Sequence, residues 1–212
     1  MALLFGVVPA GAAVTGGLWY YGGNKHIEVG YTPAQPIEYS HKLHAGDLGI
    51  DCRYCHSTVE RSGFAQVPPT ETCMNCHAKV LRTEAAAGSP PAKLVVVRES
   101  YSSDKSIPWI KVHNLPDYVY FDHSAHLNAG VGCTSCHGRV DQMLRVQQVE
   151  PLSMGWCVDC HRDPTAHLRD RSEVTKMDWT GPSKAVLEGT GVAKTADGRT
   201  VRPPINCSGC HR

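Results

Sequence analysis

All ten cysteines of this 212-residue chain fall into five copies of one pattern, Cys-x-x-Cys-His, and none is left for a disulfide or a catalytic thiol. The copies are Cys52-Arg-Tyr-Cys55-His56, Cys73-Met-Asn-Cys76-His77, Cys133-Thr-Ser-Cys136-His137, Cys157-Val-Asp-Cys160-His161 and Cys207-Ser-Gly-Cys210-His211. Two thiols at this spacing add across the two vinyl groups of one porphyrin, and the imidazole that follows is held under the iron as its proximal ligand. The competing reading is zinc, since paired Cys-x-x-Cys knuckles also build tetrahedral sites. Zinc does not require His after every pair. With 12 His among 212 residues, five successes by chance would be roughly one in a million, so the pattern predicts five c-type haems.

That expectation dictates the fold class. Aromatic residues make up only 7% and Phe occurs three times, against 20 Gly and 14 Pro, which is little material for a close-packed apolar core. The porphyrins have to supply the rest. The sequence therefore predicts a multihaem cytochrome c: mostly coil with short α-helices packed around five covalent haems, and unfolded without them. The formal charge is +1, and five ferric haems with ionised propionates bring the loaded chain to roughly −4. With no run of Lys or Arg either, nucleic acid is excluded as a partner.

Residues 2–23 carry no charge, and the stretch from Ala2 to Tyr21 is long enough to cross a bilayer as a helix, with Trp19, Tyr20 and Tyr21 as an interfacial belt and Lys25 and His26 emerging into water. The alternative is a cleaved signal peptide, but a basic n-region is missing. The chain is read as an anchor (1–23), an extended linker (24–38), a two-haem module (39–77), a linker or partner-facing segment (78–120), a second two-haem module (121–161) and a C-terminal segment with the fifth haem (162–212). The module boundaries rest on a repeat. Tyr39-Ser-His41-Lys-Leu-His44 precedes Cys52, and Phe121-Asp-His123-Ser-Ala-His126 precedes Cys133, each followed by two motifs. Within the last segment, Ala193 to Val201 reads as a hairpin around the Asp197-Gly198 turn.

Electron-carrier haems need a sixth ligand, usually His or Met. Residues i and i+3 of a helical turn share a face, so the two imidazoles of each His-x-x-His can reach two neighbouring irons. His41, His44, His123 and His126 are the predicted distal ligands, alongside the proximal His56, His77, His137, His161 and His211. The fifth distal position stays open among His113, His167 and Met154, and a Met there raises the potential of its haem.

Gln35-Pro-Ile-Glu-Tyr-Ser-His-Lys-Leu-His-Ala-Gly46, the Cys52 and Cys73 motifs, and Pro151-Leu-Ser-Met-Gly-Trp-Cys157 together resemble the pentahaem cytochrome c component of bacterial alternative complex III. The two modules individually resemble class III multihaem cytochromes. The second likeness implies that His41 serves the haem at Cys52/Cys55, His44 that at Cys73/Cys76, His123 that at Cys133/Cys136 and His126 that at Cys157/Cys160. The first implies a relay without catalysis of its own. Iron-sulfur and integral membrane subunits would oxidise quinol, and five haems would pass electrons to a periplasmic acceptor such as a cytochrome c, a copper protein or a terminal oxidase. The haem domain is then expected on the periplasmic face of the cytoplasmic membrane. Two other functions compete: a self-sufficient membrane-anchored quinol dehydrogenase, which needs a quinol pocket beside an open haem, and a substrate-converting multihaem enzyme, which needs a vacant iron.

Overall fold

The structure, a computed structural model, describes residues 2–22, 27–80, 94–181, 183, 185–189, 192–195 and 197–211. The expected interfacial Lys25 and His26 and the stretch 85–92 lie outside these residues.

Helix α1 spans Ala2–Tyr21, with Pro9 inside it. The apolar side chains of Val7, Val8, Val14, Leu18 and Trp19 are exposed along it. Among the described residues no helix is long and apolar enough to cross a membrane.

The other helices are short, and most contain a Cys-x-x-Cys-His motif or part of one. They are α2 (Cys52–Cys55), α3 (Thr70–His77), α4 (Val95–Ser103), α5 (His123–Ala129), α6 (Thr134–His137), α7 (Met154–Arg162) and α8 (Cys207–Cys210). Side-chain caps start several of them. Asp51 accepts from the Arg53 amide ahead of α2, Ser153 from Trp156 ahead of α7 and Asn206 from Gly209 ahead of α8. Each cap satisfies an amide that the helix itself leaves unpaired. Among the described residues the sheet has three antiparallel two-residue strands in the order β1 (Val186–Leu187), β2 (Ala193–Lys194) and β3 (Thr200–Val201). The expected hairpin is its β2–β3 pair, with Gly198 at φ +81° in the turn.

Segment 78–120 contains a helix that the linker reading did not anticipate. Val97 and Ser100, three residues apart on one face of α4, are buried, and the Ser100 hydroxyl lies 2.7 Å from that of Thr70 in α3. The extended linker is likewise tied down. Gly30 donates to Gln148 and Gln148 to Tyr31 along the backbone, while the Gln35 amide both donates to and accepts from Ile110.

The apolar core is thin, as composition predicts. Val59, Leu127 and Val174 form its buried cluster, drawing one residue from each third of the chain. Arg169 strengthens the knot. Its guanidinium donates to Thr134 Oγ1 and to the Lys176 carbonyl and lies over the Trp179 ring, 4.4 Å from the centroid. A Cβ at Gly132 would overlap the Arg169 guanidinium, so any larger residue there would displace it from these partners.

Candidate functional site: a row of paired imidazoles

His41 leads into a π-helical turn over Lys42–Asp47 that carries His44, and His123 and His126 lie one turn apart on α5. The two segments have the same local geometry. Tyr39 meets His41 edge-on at 4.8 Å and lies nearly parallel to His44 at 4.5 Å. Phe121 meets His123 edge-on at 4.7 Å and lies nearly parallel to His126 at 4.8 Å. These two aromatic residues were not singled out from the sequence, although both precede the first His of their repeat by two positions. That shared position was the signal available.

Three of the four distal candidates stand beside a motif imidazole. Ring centroids are 6.1 Å apart for His44 and His77, 6.3 Å for His123 and His137 and 6.0 Å for His126 and His161. Burial, then His56, then His44 lower the His41 imidazole to about 4. Two imidazoles bound through Nε2 on opposite sides of one iron would have centroids about 6.2 Å apart, from an iron–nitrogen bond of about 2 Å and about 1.1 Å from nitrogen to ring centre. The three measured separations fit that spacing. The His113–His137 separation of 4.4 Å is too short for it.

Ring orientation also fits iron. Nδ1 lies within hydrogen-bonding distance of a backbone carbonyl in His44 (Ser40, 2.9 Å), His56 (Gln66, 2.6 Å), His123 (Gly63, 2.9 Å), His126 (Asp122, 2.7 Å) and His161 (Pro204, 2.7 Å). An imidazole whose Nδ1–H donates to a carbonyl presents Nε2 as its lone-pair donor. His41 and His77 keep a buried Nδ1 without a protein partner. Burial holds His77, His113 and His126 below the usual histidine range. It brings His137 to about 3, helped by His113, His123, His56 and His41 in that order.

Contacts show which motifs are neighbours. The Cys133 amide donates to the Val174 carbonyl, and the adjacent Thr175 hydroxyl donates to Asp51, just ahead of Cys52. His123 and His126 of one helix meet His137 and His161. All ten thiols are free. Burial pushes Cys52 up to about 11, with Cys133 the next cause. Cys55 is raised by burial and then by Cys73 and Cys76. Burial takes Cys136 up to about 12, followed by Cys160 and Cys157, and Cys157 is raised by burial and then by Cys210. Hydrogen bonds agree: Asn75 of the second motif donates to Tyr54 of the first, and His161 of the fourth reaches Pro204, just ahead of the fifth. The motifs therefore form a row in the order second, first, third, fourth, fifth. Its two ends carry the exposed thiols, Cys76 and Cys207.

The three candidates for the fifth distal position are dispersed. His113 packs on His137 and keeps a buried, unpartnered Nε2. His167 closes a 3-10 turn. Met154 opens α7, 67% exposed.

Residues 119–212 match the family described as cytochrome c7 and related cytochrome c. The chain is also similar to the multiheme cytochrome c subunit of menaquinone reductase from Nitratidesulfovibrio vulgaris, 41% identical over 103 residues that cover 49% of this chain. The chain spans 45% of the length of that relative. Both comparisons are with cytochromes c, and the second is with a multiheme one.

Proposed function

We propose that this chain is a pentahaem relay subunit of a membrane quinone-linked oxidoreductase of the alternative complex III type, without catalysis of its own. The observation that carries the reading is the row of motif imidazoles, three of them 6.0–6.3 Å from a second imidazole. When bound, haem supplies a one-electron Fe(III)/Fe(II) couple, and bis-imidazole ligation suits electron transfer because it leaves no position for a substrate. The protein's own part is to hold each ligand still. Cysteine pairs would fix the porphyrins, carbonyl-bonded His rings would present Nε2, and the half-buried first–third junction around Cys52 and Cys133 would join the two modules. In this reading His41, His44, His123 and His126 are the distal partners of His56, His77, His137 and His161. The N-terminal segment 1–23 would hold the chain at the membrane by packing through its small residues on helices of the partner subunits, and the haem domain would face the periplasm.

Partners would be iron-sulfur and integral membrane subunits on one side and a periplasmic one-electron acceptor on the other. A second reading reverses the flow. The likeness to a menaquinone reductase subunit favours electrons arriving from the periplasm and leaving toward menaquinone. Both readings use the same row. Its test is a His137→Ala variant in the intact assembly, which removes the proximal ligand at the middle of the row. Electrons supplied at one end should then rapidly reduce two haems instead of all five; rapid reduction beyond the break would refute a single row.

A further inference from the structure

The third motif brings three imidazoles together. His137 faces His123 at 6.3 Å with the ring planes 8° apart, the spacing of two ligands across one iron. His113 meets His137 at 4.4 Å with planes 81° apart, which is edge-to-face packing of two rings. The segment that carries His113 is tied down close by. Gln35 donates to the Ile110 carbonyl at 2.8 Å and accepts from the Ile110 amide at 2.9 Å, and Ile107 is buried. The His113 Nε2 is itself buried without a hydrogen-bond partner, so packing, not a polar contact at that atom, places the ring.

The angle between planes distinguishes this site from its neighbours. His44 and His77 stand 62° apart, and His126 and His161 stand 41° apart. In both of those pairs the distal ring lies against an aromatic face, Tyr39 or Phe121. At the third site His123 is held instead by the Gly63 carbonyl at Nδ1 and edge-on by Phe121, and His137 is held by His113. Groups packed behind a metal ligand set the plane of its ring. At 4.4 Å from His137, His113 is too close to stand across the same iron, so its part there is to orient a ligand.

We propose that His113 is a positioning residue of the third site, whose ring, packed edge-to-face on His137, holds the His137 plane parallel to that of His123. The proposal rests on the reading that Cys133, Cys136 and His137 hold haem with His123 as the sixth ligand. Ring planes matter because each imidazole donates π density to the iron d orbital perpendicular to its own plane. Parallel rings load one orbital of a pair and split the two, whereas crossed rings load both alike. The ferric ion is stabilised by the split, since its unpaired electron occupies the raised orbital, and the ferrous ion, which fills both, is not. Parallel rings therefore give a rhombic low-spin resonance and a lower potential; crossed rings give a resonance with a large maximum g value and a higher potential.

The test uses the full-length haem-loaded protein, with haem counted after denaturation in pyridine, the ferric form examined by electron paramagnetic resonance and the potentials read by redox titration. The unchanged protein should show a rhombic low-spin signal worth at least one haem. His113→Leu, which fills the volume without a ring, should keep the haem count and add no high-spin signal. It should move one haem's share of intensity from the rhombic signal to one of large maximum g, and shift one potential upward. His113→Phe should retain the original spectrum, because a phenyl edge can meet the His137 face as an imidazole edge does. An unchanged rhombic signal in His113→Leu, or the shifted spectrum in His113→Phe, would overturn the proposal and leave the relay reading intact. So would a new high-spin signal in His113→Leu, which would make His113 an axial ligand. Peptide mapping that finds the Cys133 pair without haem would overturn both the proposal and the haem reading of that motif.

Discussion

The Tyr39 ring lies 4.5 Å from the His44 ring with their planes 22° apart, and Phe121 repeats the arrangement on His126 at 4.8 Å and 26°. Each aromatic face clamps the second His of a His-x-x-His, the residue proposed to reach out of its own motif. Phe121→Leu should therefore cost about 1–2 kcal/mol, less than a full core truncation because the ring is partly exposed. It should also loosen the His126 ring and raise the high-spin fraction at the fourth motif. Phe121→Tyr should change neither, since Tyr39 holds the equivalent place. Thermal unfolding and electron paramagnetic resonance of both variants check this.

The turn that carries His44 packs against the chain just beyond the third motif. A Cβ at Gly46 would overlap the Asp141 carbonyl oxygen, and Lys42 donates to the Met143 carbonyl beside it at 3.0 Å. Backbone cannot yield as a flexible side chain can. Gly46→Ala should destabilise the protein by about 1–3 kcal/mol, measured as a lower denaturation midpoint with an unchanged slope.

How much of this was legible in the sequence follows from range. The attachment motifs and the repeated His-x-x-His are local, set within five or six residues, so spacing alone displayed them. The order of the motifs is not local. The His123 ring and amide both meet the carbonyl of Gly63, sixty residues away, and that contact helps bring the two modules together. Nothing in either segment announces it. The α4 helix was obscured because three consecutive valines look poor for a helix, while burial of Val97 against α3 decides the matter through packing.

Arg169 is the clearest feature that pattern reading missed, since an Arg in the charged run Arg169-Asp170-Arg171-Ser172-Glu173 looks like solvated charge. It is 8% exposed, and burial lowers its pKa. Arg169→Met should cost about 2–4 kcal/mol, because it removes two hydrogen bonds and a cation–π contact that join the third motif to Lys176 and Trp179. Arg169→Lys should recover only part of this loss, because an ammonium cannot reproduce the planar fork. Denaturant titration of the two variants measures the difference.

Asp51 contributes to the acid limb of the stability profile. Its hydrogen bond from the Arg53 side chain, opposed by burial and supported by the Arg53 amide and Thr175, holds the carboxyl at about 2. A folded pKa below the unfolded value of about 3.9 means that this stabilisation is present above pH 4 and is lost as pH falls toward 2. The side chain is 45% exposed, so solvent screening keeps the contribution small. Asp51→Ala should cost about 1 kcal/mol at neutral pH through the lost helix cap. It should also flatten the decline between pH 4 and 2, which unfolding measured across that range would detect.

The central claim, that this chain conducts electrons and leaves quinone chemistry to its partners, is tested by adding reduced menaquinol to the haem-loaded chain alone and to its detergent-solubilised native assembly while following haem reduction optically. The account predicts rapid, inhibitor-sensitive reduction in the assembly and only slow, inhibitor-insensitive reduction of the isolated chain. Rapid, inhibitor-sensitive reduction of the isolated chain would contradict it and make the protein a quinol dehydrogenase in its own right.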